Sequence, residues 1–402
     1  MTQATGQLDL WQAGEPVSGS IDEPSGRFAS MAILAIAAGL LGIGAVMTYS
    51  ATAGMEDQWT LANWWQSKAL RQLVYVIGGL AAMLVMSCVP YRLWMARRGT
   101  PAMLFLLAAL GTTTLVLAPG VGHEAKGATR WVYIGSVHFQ PSEIVKLALP
   151  VFLAVWMGHR ADVRKFWRGF LPAALVIGIA VGAVGLEDFG TAALLAAVGG
   201  AMLLVGGACW THVFLLVMPA VPAFLYLLHS RAHRMERLNA YRNIWAHAEG
   251  TGYQAIQSLC AIANGGWFGK GLGRGMVKGY LPEARSDFIF AVIGEELGVV
   301  GQIAVIGLII VLLWQGLVVV RRCQEPVGRL LAFAMILTLG VQAVMNIAVV
   351  TVSVPTKGIS LPLVSAGGTG VIFLGGLVGV LANVARGSPA EQAEAARPPA
   401  ES

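Results

Sequence analysis

Long stretches without a charged residue limit most strongly how this chain can fold. Residues 28–55, 72–91 and 99–123 contain no Asp, Glu, Lys or Arg and are rich in apolar side chains. About 20 such residues in a helix cross the hydrocarbon core of a bilayer. Only 12% of the residues are charged, too few to cover the surface of a soluble protein. The sequence therefore predicts a multi-span integral membrane protein and excludes a soluble enzyme or a disordered chain.

We predict an all-α fold with ten transmembrane helices in a membrane domain at 28–386. A polar loop at about 231–286 separates the seventh and eighth spans, and polar tails at 1–27 and 387–402 are expected to be disordered. The predicted spans are 28–55, 72–91, 99–123, 147–159 extended back through 141–143, 169–186, two within 189–230, 297–320, 330–356 and 358–385.

The short loops predict the orientation of the chain. The loops after the second, fourth and eighth spans are rich in Arg and Lys, which favours the cytoplasmic side. Both termini are then expected in the cytoplasm, and the 231–286 loop outside it. The net charge of +6 is explained by such loops and does not indicate a nucleic-acid partner.

The outer loop is basic and contains a glycine-rich segment at 265–275. This segment lacks the Ser or Thr of a phosphate-binding P-loop and the surroundings of a dinucleotide site. Two interpretations stay open. The segment is a tight loop packed on the bilayer surface, or its amides and the cations Lys270 and Arg274 bind a phosphate.

Ionisable residues inside or beside the spans are candidates for a site, because burying them in a membrane is costly. Asp287 is expected in the first turn of a helix, as a helix-start acid or as a general base. Glu295 and Glu296 follow on that helix, and Glu295 is close enough to share a cavity with Asp287. The two glutamates are each expected to pair with a buried cation. Glu143 and Lys146 are three residues apart on one helix face and can pair, although Lys146 can also meet Glu295 or Glu296.

Other polar residues give weaker signals. Glu187 and Asp188 are interpreted as solvated acids at the start of the sixth span. The histidines and the four cysteines lack the spacing of a zinc site or a disulfide framework.

Several motifs together resemble the SEDS family (shape, elongation, division and sporulation), which comprises the FtsW, RodA and SpoVE proteins. The matching stretches occur in family order at Ala128–Leu149, Glu187–Ala192, Tyr253–Gly273, Leu281–Gly298 and Pro355–Gly368. The last two are most similar to the FtsW division branch. The chain departs from the family pattern at Arg285, where His is usual, and at Ala366, where an aromatic residue is usual.

The resemblance implies a peptidoglycan glycosyltransferase of the bacterial cytoplasmic (inner) membrane. Such an enzyme polymerises lipid II into β-1,4-linked glycan strands and releases undecaprenyl diphosphate. Asp287 aligns with the family's essential aspartate and is the expected catalytic base. The candidates for binding the diphosphate or the sugar are Arg130, Trp131, Lys270, Arg274 and Arg285. The implied partners are a class B penicillin-binding protein and other membrane proteins of the division machinery, and a divalent cation such as Mg²⁺ is an optional cofactor.

Two alternatives stay open. A lipid II flippase would use Lys146, Glu295 and Glu296 as a polar path across the bilayer. A non-catalytic scaffold would only recruit the penicillin-binding protein.

Overall fold

The computed structural model describes residues 26–52, 67–116, 122–125, 128–134, 137–159, 162–186, 188–216 and 232–387, with positions 218 and 222. For 122–125, 128–130, 133–134, 137–138 and 232–234 it describes the backbone alone. The predicted terminal tails fall almost wholly outside these ranges.

Apolar helices make up most of the described chain. In chain order they are α1 (Gly26–Thr52), α2 (Lys68–Cys88), α3 (Ala96–Leu115), α4 (Ser142–His159), α5 (Leu171–Gly185), α6 (Phe189–Val205), α7 (Ala232–Arg242), α8 (Tyr253–Gly265), α9 (Ile289–Arg322), α10 (Pro326–Val350) and α11 (Thr369–Arg386).

Seven stretches of the described chain are long and apolar enough to cross a membrane: α1, α2, α4, Phe166–Gly185 around α5, α9, α10 and α11. This confirms the prediction of a helical multi-span membrane protein. The seventh predicted span lies largely outside the described residues, so the count of ten stays a prediction.

A small antiparallel sheet follows α3 and was not predicted from the sequence. Its strands β1 (Gly122–Ala125), β2 (Ala128–Ile134) and β3 (Val137–Phe139) pair in the order β1-β2-β3. The predicted third span was therefore wrong at its end, because α3 stops at Leu115 and His123 belongs to β1. The apolar run contains Pro119 and Gly120, two residues that disfavour a helix interior. The sheet leads directly into α4.

Glycines allow α2 and α11 to pack with their backbones in close approach. A Cβ atom added to Gly375 would lie 2.2 Å from the carbonyl oxygen of Gly79, and one added to Gly379 would lie 2.4 Å from that of Met83. Only glycine leaves room for this approach. The pairing holds the start of α2 next to the residues that precede α11.

The long helix α9 is interrupted at Gly298, whose φ of 69° and ψ of −168° are not helical. The interruption frees backbone groups on both sides, and the glycine-rich segment binds them. Four hydrogen bonds of 2.9–3.1 Å join the two: Lys270 N to Glu295 O, Gly271 N to Glu296 O, Val299 N to Gly266 O, and Val300 N to Trp267 O. The part of α9 before the break is thereby fixed to the 231–286 loop.

Candidate active site

A polar cavity of about 440 Å³ lies where α2, α4, the sheet and the turn before α9 meet. This volume falls in the range of small-molecule sites, about 300–1,000 Å³. Five residues predicted from the sequence line the cavity: Trp131, Glu143, Lys146, Arg285 and Asp287. A polar cavity in a membrane bundle is a strong indication of a functional site.

Asp287 lies in the turn just before α9, which begins at Ile289, and not in the first helical turn as predicted. Its side chain is half-buried. The backbone on either side is held from two directions. Asn346 Nδ2 in α10 donates to Asp287 O at 2.8 Å and to Ile359 O at 2.7 Å. The amide of Ala366 donates to Arg285 O at 2.9 Å.

Asn346 was missed in the sequence analysis, although an asparagine inside an apolar span is itself a signal. It is fully buried, and its two amide hydrogens join the Asp287 turn to the 351–368 loop. Because both acceptors are carbonyl oxygens, the orientation of the amide is unambiguous. Asn346 therefore fixes the position of Asp287 through the main chain.

The Glu143–Lys146 pair forms a second wall of the cavity. Lys146 Nζ lies 2.6 Å from Glu143 Oε2 and donates to Gln342 Oε1 at 3.1 Å. Gln342 Nε2 donates to Ser360 O at 3.0 Å. Lys146 thus pairs with Glu143, and not with Glu295 or Glu296. Each charge compensates the other inside the bundle, so removing either one alone would leave an uncompensated buried charge.

Asp188 was predicted to be a solvated acid, but it is buried and caps the N-terminus of α6. It is 4% exposed and lines the cavity at the start of α6. Its carboxylate accepts from Thr191 N at 3.1 Å, Thr191 Oγ1 at 2.8 Å and Gln140 Nε2 at 2.9 Å. Burial lowers the pKa of nearby Lys357, and the Asp188 charge partly offsets this effect. Glu187 lies outside the described residues.

Lys270 and Arg274 do not line the cavity that contains Asp287. Lys270 Nζ lies 3.3 Å from Glu295 Oε1, and Lys278 Nζ lies 3.3 Å from Glu296 Oε1. Both glutamates are fully buried, whereas of their partners only Lys278 is buried and the Lys270 side chain is 34% exposed. Neither glutamate lines the Asp287 cavity. The predicted pairing with a cation is present, and it engages a lysine that was expected to bind substrate.

Several backbone amides of the glycine-rich segment, and those of the two residues that follow it, are also engaged. Besides the bonds to α9, Gly273 N donates to Ser50 Oγ at 2.7 Å, and Met276 N and Val277 N donate to the Glu295 carboxylate at 3.0 and 3.1 Å. Ser50 Oγ in turn donates to Glu296. Amides used in this way are not available to a phosphate. The segment seals the break in α9, which favours the packed-loop interpretation over the phosphate cradle.

Two cations that the sequence analysis did not single out line the cavity instead. Lys68 and Arg71 stand three residues apart in the first turn of α2, after the N-cap Ser67. Two cations one turn apart at the start of a span are a recognisable signal. Their approach to Asp287 depends on the close packing of α2 and α11, which the sequence does not reveal.

Two further predicted site residues, Arg130 and Trp131, are neighbours in β2. Arg130 belongs to β2, and its side chain lies outside the described part of the chain. Trp131, the next residue, is half-buried and lines the cavity. Within the described ranges, no three His, Cys, Asp or Glu side chains form a group that could hold a metal ion.

The chain is similar to known proteins along most of its length. A family model described as "Cell cycle protein" and covering FtsW, RodA and SpoVE matches residues 31–389. A probable peptidoglycan glycosyltransferase FtsW of Geobacter sulfurreducens is 38% identical, over 89% of this chain and 96% of the relative. Stage V sporulation protein E of Bacillus subtilis is 36% identical, over 86% and 94% of the two chains.

Solved structures show the same fold. A chain from a peptidoglycan synthase complex that coordinates polymerization and crosslinking has a TM-score of 0.70 and 25% identity, over 88% of this chain and 96% of that chain. The rod shape determining protein RodA of Thermus thermophilus has a TM-score of 0.62 and 25% identity, over 88% and 95%. Because the family model and the relatives cover most of its length, the chain belongs to the FtsW/RodA/SpoVE family of membrane proteins.

Proposed function

We propose that this chain is a peptidoglycan glycosyltransferase that polymerises lipid II at the outer face of the cytoplasmic membrane. One observation carries the proposal: a membrane bundle holds a polar cavity that Asp287 lines together with the cations Lys68, Arg71 and Arg285. Lipid II presents a saccharide and a diphosphate on a prenyl tail. A site for it needs a base, cations and access from the membrane, and the cavity brings the first two together.

In the proposed reaction, Asp287 takes the proton from a sugar hydroxyl of the acceptor. The hydroxyl oxygen attacks the anomeric carbon of the donor, the bond from that carbon to the diphosphate breaks, and undecaprenyl diphosphate leaves with the electron pair. An α-linked donor and a β-1,4-linked product require inversion, and therefore a single displacement. A base positioned in this way contributes about 10²–10⁴-fold to the rate.

The departing diphosphate gains negative charge, and the cavity cations are placed to stabilise it. Arg285 keeps its predicted role in binding the diphosphate, and Lys68 and Arg71 replace Lys270 and Arg274 in it. Trp131, which lines the cavity, would stack on a sugar ring, since an aromatic face packs well against apolar C–H groups. Arg130 keeps its proposed place beside Trp131.

A divalent cation such as Mg²⁺ belongs to this proposal only as an ion that enters with the diphosphate. Mg²⁺ is often bound by one or two carboxylates together with substrate phosphates. Glu283, which lines the cavity, would be its protein ligand. The bound ion would neutralise charge on the leaving group.

Replacing Arg71 with Gln is expected to lower kcat/KM for lipid II by about 10- to 100-fold, because a charge-assisted hydrogen bond to the diphosphate is lost. The matched control is Arg274→Gln, outside the cavity, which is expected to stay within about twofold of the wild type on the same scale. Initial rates of polymerisation at several lipid II concentrations decide the comparison. A larger loss for Arg274→Gln would return the diphosphate site to the glycine-rich segment.

The proposed setting is septal wall synthesis in the bacterial cytoplasmic membrane, with both termini in the cytoplasm. Arg386 Nε donates to Ser30 Oγ at 3.0 Å, so the start of α1 and the end of α11 lie at the same end of the bundle. This contact supports termini on one side. The similarity to a chain of a synthase complex supports a class B penicillin-binding protein as partner, alongside other membrane proteins of the division machinery.

The test of the proposed function is polymerisation of labelled lipid II by the purified chain, alone and with its penicillin-binding partner, in detergent. Glycan strands on a gel support the enzyme, because detergent removes the two compartments that transport requires. Scrambling of lipid II across vesicles with no polymer would instead identify a flippase. Partner binding with neither activity would identify a scaffold.

A further inference from the structure

The cavity wall formed by α1 and α2 contains two neutral polar side chains without a protein partner among the described residues. Thr48 is 1% exposed, and its Oγ1 has no hydrogen-bond partner there. Gln72 is 4% exposed, and its amide, for which no hydrogen bond is seen within the described part of the chain, is not among the fully enclosed polar atoms that lack a partner there. Both residues line the cavity that holds Asp287.

Other polar groups of the same cavity are engaged. The amide of Gln342 binds Lys146 and Ser360, and the amide nitrogen of Gln140 binds Ser142 and Asp188. Gln72 therefore differs from the other two glutamines of the cavity. A fully buried polar atom without a partner, such as Thr48 Oγ1, costs about 1–3 kcal/mol, so one kept inside a membrane bundle indicates a ligand that satisfies it.

We infer that Thr48 and Gln72 form a neutral hydrogen-bonding subsite for the saccharide of the lipid-linked substrate. The chemistry selects this class of ligand. A hydroxyl and a carboxamide each donate and accept, as do sugar hydroxyl and acetamido groups, whereas a prenyl chain offers no hydrogen bond. The diphosphate binds the cations of the same cavity, because uncharged groups attract it less strongly.

This inference rests on the proposed function only in the choice of a lipid-linked saccharide as ligand. It divides the cavity into a charged part, with Lys68, Arg71 and Arg285, and a neutral part, with Thr48 and Gln72. The charged part binds the group that lipid II and undecaprenyl diphosphate share. The neutral part binds the saccharide, which only lipid II carries.

The test compares the binding of lipid II and undecaprenyl diphosphate to the full-length protein in detergent. Thr48→Val and Gln72→Leu are made in an Asp287→Asn background, so that turnover does not consume the ligand. Each variant is expected to bind lipid II about fivefold more weakly, since one hydrogen bond is lost. Both are expected to bind undecaprenyl diphosphate as the parent does. Thermal stability is expected to hold or rise, because a partnerless polar group is replaced by an apolar one.

The matched control is Thr338→Val in α10. Thr338 is fully buried, does not line the cavity, and donates to Ala334 O at 2.8 Å within its own helix. It is expected to change neither affinity. Gln72→Met keeps an unbranched side chain and replaces Gln72→Leu if the leucine variant does not fold.

Unchanged lipid II affinity in both variants, or equal weakening for both ligands, would overturn the subsite. The outcome is separable from that of the proposed function. If the wild type makes no polymer but Thr48→Val and Gln72→Leu still weaken lipid II selectively, the subsite stands while the enzymatic proposal fails. If polymer forms and selectivity is unchanged in both variants, the reverse holds.

Discussion

Replacing Asp287 with asparagine is expected to reduce polymerisation of lipid II by at least about 100-fold, because the isosteric amide cannot accept the acceptor's proton. The fold is expected to survive. The turn is held by its main-chain carbonyls, through Asn346 Nδ2 on Asp287 O and Ala366 N on Arg285 O, and the substitution leaves both bonds in place. Strand formation on a gel and thermal unfolding in detergent measure the two quantities separately.

The matched control is Asp162→Asn, an exposed aspartate between α4 and α5 that does not line the cavity. It is expected to polymerise at the wild-type rate. Retention of more than about a third of the wild-type rate by the Asp287 variant would remove this carboxylate from the role of base, since a base contributes far more than threefold. Loss of partner binding as well would point to a structural role.

Local patterns explain what was predicted correctly. Apolar runs report burial in lipid directly, and the described helices therefore agree with most predicted spans. The start predicted for the eighth span, Leu297, falls eight residues after the observed start of α9, because the charge-free run begins only after Glu295 and Glu296. The three-residue spacing of Glu143 and Lys146 likewise predicts a contact within one helix.

Long-range packing explains what was not predicted. Lys68 and Arg71 reach the cavity only because α2 packs closely on α11, a pairing of residues about 300 positions apart that no local pattern encodes. Lys270 appeared suited to a phosphate because glycines surround it. In the structure, the buried Glu295 attracts that cation first, since an unpaired carboxylate in the bundle would be far more costly.

The positioning residue Asn346 shows a third kind of limit. Its presence in an apolar span marks it as unusual, yet its two acceptors lie in segments before α9 and after α10. The sequence shows that a polar residue stands in an apolar span, but it does not show which carbonyl oxygens its amide binds. Gln72 is a different case, because it stands at the start of an apolar run and its position in the cavity wall is not evident from the sequence.

The break in α9 makes a second strong prediction: Gly298→Ala is expected to destabilise the protein by at least about 3 kcal/mol, or to prevent its folding. Gly298 has φ of 69° and ψ of −168°, a region that is essentially restricted to glycine. A Cβ atom there would lie 2.4 Å from the carbonyl oxygen of Trp267 and 2.5 Å from the amide nitrogen of Gly269. Both neighbours are backbone atoms and cannot rotate away.

The damage is expected to extend beyond Gly298 itself. Moving the glycine-rich segment outward would stretch its hydrogen bonds to Glu295 O and Glu296 O, and would also separate Lys270 from the Glu295 carboxylate. Because Glu295 is fully buried, losing Lys270 would leave its carboxylate with only the amides of Met276 and Val277 and would add to the cost. The short part of α9 that follows the Asp287 turn would lose its attachment, so activity is expected to fall together with stability.

The same helix supplies the control. Gly307 lies in α9 beyond the break, and a Cβ atom added there meets no atom within 4 Å. Gly307→Ala is therefore expected to be neutral or to stabilise the helix by up to about 1 kcal/mol, the difference in helix propensity. Thermal unfolding and size-exclusion profiles in detergent compare the two variants. If Gly298→Ala is as stable as Gly307→Ala, the chain tolerates a continuous α9, and the glycine-rich segment does not hold the carboxylates in place.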